Sequence, residues 1–233
     1  MLILGITTST AQVGCAIGGH EGVLGGVHSS RGRRHAETLT PAIAFLCQQA
    51  RVDLADIGAV AVDLGPGMYT GLRVGVAAGK ALSHARRLPM IGVTSLDLLA
   101  FPLRHSSRRI LCTIDAGRGE LFHATYRHSP GGVQRLAEPA VSSPADLAAD
   151  LLASDDETLV VGDGALRHRS HFDGLRGVEL ADPGLAHPSA GSLVQLAHAR
   201  ALREEFVTAA ELSPLYLRRP DAEIRWSTRE SVR

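Results

Sequence analysis

Gly65-Pro66-Gly67-Met68-Tyr69-Thr70-Gly71 is the stretch that decides how this chain folds. Before it runs Ile57-Gly58-Ala59-Val60-Ala61-Val62-Asp63, a short apolar run that reads as a strand. After it, residues 72–86 are apolar and Ala-rich and read as a helix. Strand, glycine turn and helix together aim backbone N–H groups and a helix N-terminus at one point, which favours a phosphate or carboxylate. The glycines allow close approach to the backbone, Pro66 stiffens the turn, and Thr70 is placed to cap the helix. Gly65, Gly67, Thr70, Gly71 and Arg73 are therefore a candidate anion or nucleotide loop. A tight strand-to-helix turn with no ligand accounts for the same residues. Spacing excludes two standard phosphate loops. Gly75-Val76-Ala77-Ala78-Gly79-Lys80-Ala81 has one spacer too few for a P-loop and ends in Ala. Gly65, Gly67 and Gly71 miss the dinucleotide fingerprint by one position.

The surrounding residues, Asp63-Leu64-Gly65-Pro66-Gly67-Met68-Tyr69-Thr70-Gly71-Leu72-Arg73-Val74-Gly75, closely resemble the signature of the bacterial TsaB (YeaZ) proteins. Two more segments carry the same likeness. Asp115-Ala116-Gly117-Arg118-Gly119-Glu120-Leu121-Phe122 is similar to an Asp-Ala-Arg-x-Gly-Glu-Val-Tyr-like stretch, with Gly117 in place of the usual Arg and Arg118 beside it. Pro214-Leu215-Tyr216-Leu217-Arg218 is similar to the family's Pro-x-Tyr-Leu-Arg ending. The resemblance covers most of the chain. It implies an α/β, two-lobed actin-like (ASKHA, ribonuclease H-like) fold, each lobe a mixed sheet flanked by helices. Residues 1–103 would be an N-terminal lobe for dimerisation and docking, 104–217 a C-terminal lobe, and 218–233 a mobile tail.

The implied role is a non-catalytic assembly subunit for the threonylcarbamoyl-adenosine modification of tRNA. It would activate a TsaD-like catalytic paralogue, with a TsaE-like ATPase completing the set, and would meet tRNA only through the complex. Alone it would form a homodimer. No cofactor is expected to bind firmly, with ATP or ADP a candidate at the interface with the partner. The alternative is an ATP-dependent small-molecule kinase of the same superfamily, for which Asp115 and Asp163 are the well-placed carboxylates. Where that superfamily normally has an Asp before the first turn, this chain has Thr7, which holds a divalent cation poorly. Where the catalytic paralogue has a His-x-x-x-His pair, this chain has His35 and then Leu39, and one imidazole is no metal site. Catalytic and metal residues are therefore expected to be none.

The interface is placed by the same likeness on two helices. One spans residues 35–49, with Leu39, Ile43 and Leu46 along one face and His35 at its start. The other carries Gly71, Leu72, Gly75 and Gly79. Each glycine costs about 1 kcal/mol against Ala inside a helix, so a repeat every fourth residue needs a smooth face for a close neighbour. That neighbour is either the chain's own sheet or another subunit, and the resemblance favours the second.

The first strand, Leu2-Ile3-Leu4-Gly5-Ile6-Thr7, is followed by a polar turn and two return strands. The run from Ile110 to Tyr126 repeats that opening after about 105 residues, which predicts two related halves. Asp115 is placed to cap its turn or to face an interlobe cleft. A helix over 189–205, with Leu193, Leu196, Ala197 and Leu202 on its apolar side, is expected to cover the second sheet. His168 and His171 are read as surface residues, and the arginines at 218, 219, 225, 229 and 233 as a solvated tail.

Composition agrees with a cytoplasmic protein. The net charge of 233 residues is zero, so no overall field draws the chain to nucleic acid or a membrane. Cys15, Cys47 and Cys112 lie in apolar runs and read as small buried hydrophobes. No basic leader precedes the first strand, and no apolar run is long enough to span a bilayer.

Overall fold

A computed structural model describes residues 1–30 and 34–218. Its first sheet holds β1 (Leu2–Thr7), β2 (Val13–Gly19), β3 (Gly22–Ser29), β4 (Ile57–Asp63) and β5 (Met90–Val93), in the order β3-β2-β1-β4-β5. The three strands β1 to β3 are antiparallel; β4 and β5 join in parallel. Parallel strands need crossovers, and these are α1 (His35–Ala50) and α2 (Tyr69–Arg86). Leu39, Ile43, Leu46 and Val76 of these helices pack on Leu4, Ile6, Cys15 and Val62 to form one face of the core. α3 (Ser95–Ala100) follows β5, its N-terminus capped by the Thr94 hydroxyl, which accepts from the Asp97 N–H.

The second sheet repeats the design. It holds β6 (Arg109–Gly117), β7 (Glu120–Ser129), β8 (Gly132–Arg135), β9 (Ala140–Ser142), β10 (Thr158–Val161) and β11 (Val178–Leu180). Its order is β11-β10-β6-β7-β8, with β9 added on β7. Read from the hairpin edge, both sheets run third, second, first, fourth, fifth, with antiparallel and parallel pairs in matching places. The repeat seen in the sequence is thus a duplicated sheet. α4 (Pro144–Leu152) and α5 (Asp163–Arg167) cover one face through Leu147, Leu151 and Ala165. α3 covers the other through Leu96 and Leu99, packed with Ile110, Cys112 and Tyr126.

The last helix does not follow expectation. α6 (Ala190–Ala201) was expected on the second sheet and instead lies on the first. Leu193, Val194 and Ala197 are fully buried there against Ile3, Ala16, Ala61 and Ile91. The physical reason is that α1 and α2 leave the other face of the first sheet bare. Gly5 and Gly18 open a slot in β1 and β2 that the Val194 side chain fills. The helix also ends at Ala201, and Leu202, expected on its apolar side, is exposed.

α2 starts three residues earlier than read, at Tyr69. Met68 is its N-cap and supplies no side-chain bond, so Thr70 lies inside the first turn and does not cap it. At the C-terminal end, Arg218 is held by other residues, and the rest of the expected tail, with Arg219, Arg225, Arg229 and Arg233, lies outside the described residues.

Candidate functional site

The glycine turn is organised by Asp63, at the end of β4. Its carboxylate is fully buried and accepts three hydrogen bonds: from the Ser9 hydroxyl (2.5 Å), the Ser95 hydroxyl (2.5 Å) and the Gly65 N–H (3.0 Å). One side chain therefore ties the β1–β2 turn, the glycine turn and α3 together. Burial pushes its pKa up to about 6, against the three hydrogen bonds, which favour the charged form. Gly65 needs the left-handed region, at φ +93.

The Cβ side of the other glycines is packed by the chain itself. A Cβ at Gly67 would run into the Ser9 carbonyl, one at Gly71 into the Thr8 carbonyl, and one at Gly75 into the Thr8 hydroxyl. The Met68 N–H donates to the Ser9 carbonyl (2.7 Å), and the Thr8 hydroxyl to the Gly71 carbonyl (2.8 Å). Arg73 turns outward to the Tyr69 hydroxyl (3.2 Å). The Cβ sides of Gly67, Gly71 and Gly75 thus pack against the chain's own first turn, while Gly67, Thr70 and Gly71 of the expected anion or nucleotide loop also face the cleft described below.

The expected interface residues are corrected by their burial. His35, Leu39, Ile43, Leu46, Gly71, Leu72, Gly75 and Gly79 are all buried within this chain. Gly79 gives room to Val62 and Met90, and His35 Nε2 donates to the Thr10 carbonyl (2.8 Å). The smooth face was real, but its close neighbour is the chain's own sheet and first turn. The outward faces of the two helices are different residues: Glu37, Thr40, Ala44 and Phe45 on α1, and Arg73, Ala77 and Ala81 on α2. Phe45 is 53% exposed.

Beside the glycine turn lies a cleft of about 750 Å³ between the two sheets. Gly67, Met68, Tyr69, Thr70 and Gly71 line one wall, and Asp115, Arg118, Phe122 and Arg167 the other. Asp115 plays both parts expected of it. It accepts from the Gly117 N–H (3.1 Å), which caps the turn, and from the Arg167 guanidinium (2.5 Å), on the cleft side. Its own N–H donates to Asp163 (3.2 Å). Desolvation raises Asp163 to about 6. His168 is no free surface residue: its ring lies 4.0 Å from Asp115, and the side chain is 20% exposed. Thr7 is buried in the first strand, its hydroxyl donating weakly to the Gly14 carbonyl (3.5 Å). Among the described residues no group of three or more His, Cys, Asp or Glu is placed to hold a metal, and no helix is long and apolar enough to cross a membrane.

Sequence reasoning missed the role of Asp63, although a lone acid ending an apolar strand next to a glycine turn is a signal. It also missed Arg218, which bonds across to the second sheet.

Two copies of one sheet design, joined around a cleft, define a two-lobed protein of the actin-like (ASKHA) class. Residues 22–226 match the sequence model of a family described as TsaD, tRNA N6-adenosine threonylcarbamoyltransferase. An uncharacterised protein of Mycobacterium leprae is 35% identical over 95% of this chain, and the chain spans 56% of that protein's length. The Bacillus subtilis tRNA threonylcarbamoyladenosine biosynthesis protein TsaB is 27% identical over 97% of this chain and 98% of its own length. The structure of YeaZ from Pseudomonas aeruginosa superposes with a TM-score of 0.80 at 26% identity, covering 93% of this chain and 99% of that one. The chain belongs to the TsaB/YeaZ family.

Proposed function

We propose that this chain is a non-catalytic accessory subunit in forming tRNA N6-threonylcarbamoyladenosine. In this reading it docks onto a TsaD-like catalytic paralogue, a TsaE-like ATPase completes the set, and tRNA is met through the complex in the cytoplasm. The observation that carries it is similarity along nearly the whole chain to the Bacillus subtilis protein named for that biosynthesis. Two features of the chain support an accessory role. A threonine, buried and bonded to its own hairpin, stands where the superfamily's first-turn carboxylate is expected. The Cβ sides of Gly67, Gly71 and Gly75 are taken up by packing on the β1–β2 turn. ATP or ADP, where one takes part, is assigned in this reading to the interface with the partner.

The docking surface is reassigned to the outward faces of α1 and α2. Small Ala44, Ala77 and Ala81 permit close helix contact, and exposed Phe45 supplies an apolar anchor. The same faces would pair two copies when the partner is missing. Size-exclusion chromatography of the chain alone, with the paralogue, and with paralogue plus ATP tests this. Phe45→Asp with Ala77→Arg should weaken both assemblies by about tenfold or more while leaving the thermal transition in place, because both positions are exposed. A double variant that still pairs normally, or steady turnover of ATP by the isolated chain, would overturn the reading.

A further inference from the structure

Residues 206–218 cross from one sheet to the other. At the start of this segment Val207 pairs with β5 at the edge of the first sheet: the Met90 N–H donates to the Val207 carbonyl (3.0 Å) and the Val207 N–H to the Met90 carbonyl (2.9 Å). Leu212, 3% exposed, is sunk in the first core. The Leu215 N–H donates to the Leu64 carbonyl (2.7 Å), next to the glycine turn. Tyr216 then lies against Tyr69 of α2, ring centroids 5.3 Å apart.

One residue later the chain has changed sheets. Leu217 packs against the second core, and Arg218 holds both ends of the β6–β7 turn. Its guanidinium donates to the Ala116 carbonyl (3.1 Å) and pairs with the Glu120 carboxylate. That pair is partly shielded, with Arg218 23% exposed. Between Leu215 and Arg218 the chain is thus bonded to the glycine turn on one side of the cleft and the β6–β7 turn on the other. Tyr69, Tyr216 and Arg218 all line the cleft itself.

We propose that residues 206–218 form a latch, and that the grip of Arg218 on the β6–β7 turn sets the width of the cleft. Releasing Arg218 lets that turn and the glycine turn move apart. The sheets stay joined through α3, where Asp97 accepts from the Tyr126 hydroxyl (2.9 Å) and from Arg135 (2.7 Å). The latch does not rest on the docking reading, and the isolated chain tests it.

The experiment uses full-length protein with Cys47→Ser and spin labels at His84 and Glu138, exposed positions on the two lobes. Pulsed dipolar spectroscopy then compares Arg218 with Arg218→Ala and Arg218→Lys. The expected result is a longer, broader distance distribution for Arg218→Ala. Arg218→Lys should fall between, because an ammonium keeps the charge but not the two-point grip. Hydrogen exchange locates the change: residues 115–121 should exchange about tenfold faster, with the β1 and β4 interiors unaltered. An unchanged distance distribution overturns the proposal. So does equal acceleration across all strands, which would make Arg218 a general stabiliser.

Discussion

At the scale of single residues, close packing and burial give two sharp expectations. Gly71→Ala would push a Cβ into the Thr8 backbone carbonyl, which no side-chain rotation relieves. It should cost about 3 kcal/mol, the upper range for overpacking, seen as a lower urea midpoint at constant m-value. Gly26→Ala is the control. Its added Cβ finds ordinary contacts of 3.6 Å, so stability should stay within about 0.5 kcal/mol. Asp63 gives the second. Its folded pKa, about 6, lies above the ordinary 3.8. Between those values the native state binds more protons than the unfolded chain, so stability falls as pH rises through that window and is flat above it. The shift corresponds to about 3 kcal/mol. Asp163 acts in the same direction, and Asp97 adds to the Asp63 shift by repulsion. Denaturation of wild type and Asp63→Asn at pH 4 and pH 7 isolates the group. The advantage of wild type over variant should shrink as pH rises. A difference that grows with pH would show the opposite pKa displacement.

At the scale of elements, what was legible in the sequence depended on which force shapes each one. Strand and helix type followed hydrophobic period, so β1 to β4, β6, β7, α1 and α2 could be read. The destination of a buried face could not, because period says only that a helix hides one side. α6 shows this: Leu193 and Ala197 announced an apolar stripe, but the bare side of the first sheet chose where it went. The same ambiguity misled the reading of α2. Glycines every fourth residue demand a near neighbour, and nothing in the spacing says whether that neighbour is Thr8 of the same chain or another subunit. The helix packing gives its own expectation. Leu193→Ala removes a fully buried side chain from the α6 contact with the first sheet and should cost about 3 kcal/mol. Leu202→Ala, at 74% exposure, should cost almost nothing. Thermal denaturation of both variants separates this packing from the expected one on the second sheet, which would not bury Leu193 against Ile3.

At the scale of the whole molecule, the two lobes are duplicates in design but not independent in construction. A fragment of residues 1–103, the lobe expected from sequence, contains every strand of the first sheet and both crossover helices. It lacks α6 and the segment that places Leu212 in the core. Ile3, Ile91, Val93 and Leu98 would lose their cover on one face. Each large side chain left bare forfeits about 1.5–3 kcal/mol, and four of them exhaust a typical domain stability of about 5–15 kcal/mol. The fragment should therefore show no cooperative thermal transition by circular dichroism. Joining residues 187–212 to it through a flexible linker should restore one, because α6 and Leu212 return to their seats. The restored fragment should remain weaker than the full chain, since Leu96 and Leu99 of α3 still lack the second sheet that buries them. Cooperative unfolding of residues 1–103 alone would mean that α6 decorates the first sheet without completing its core.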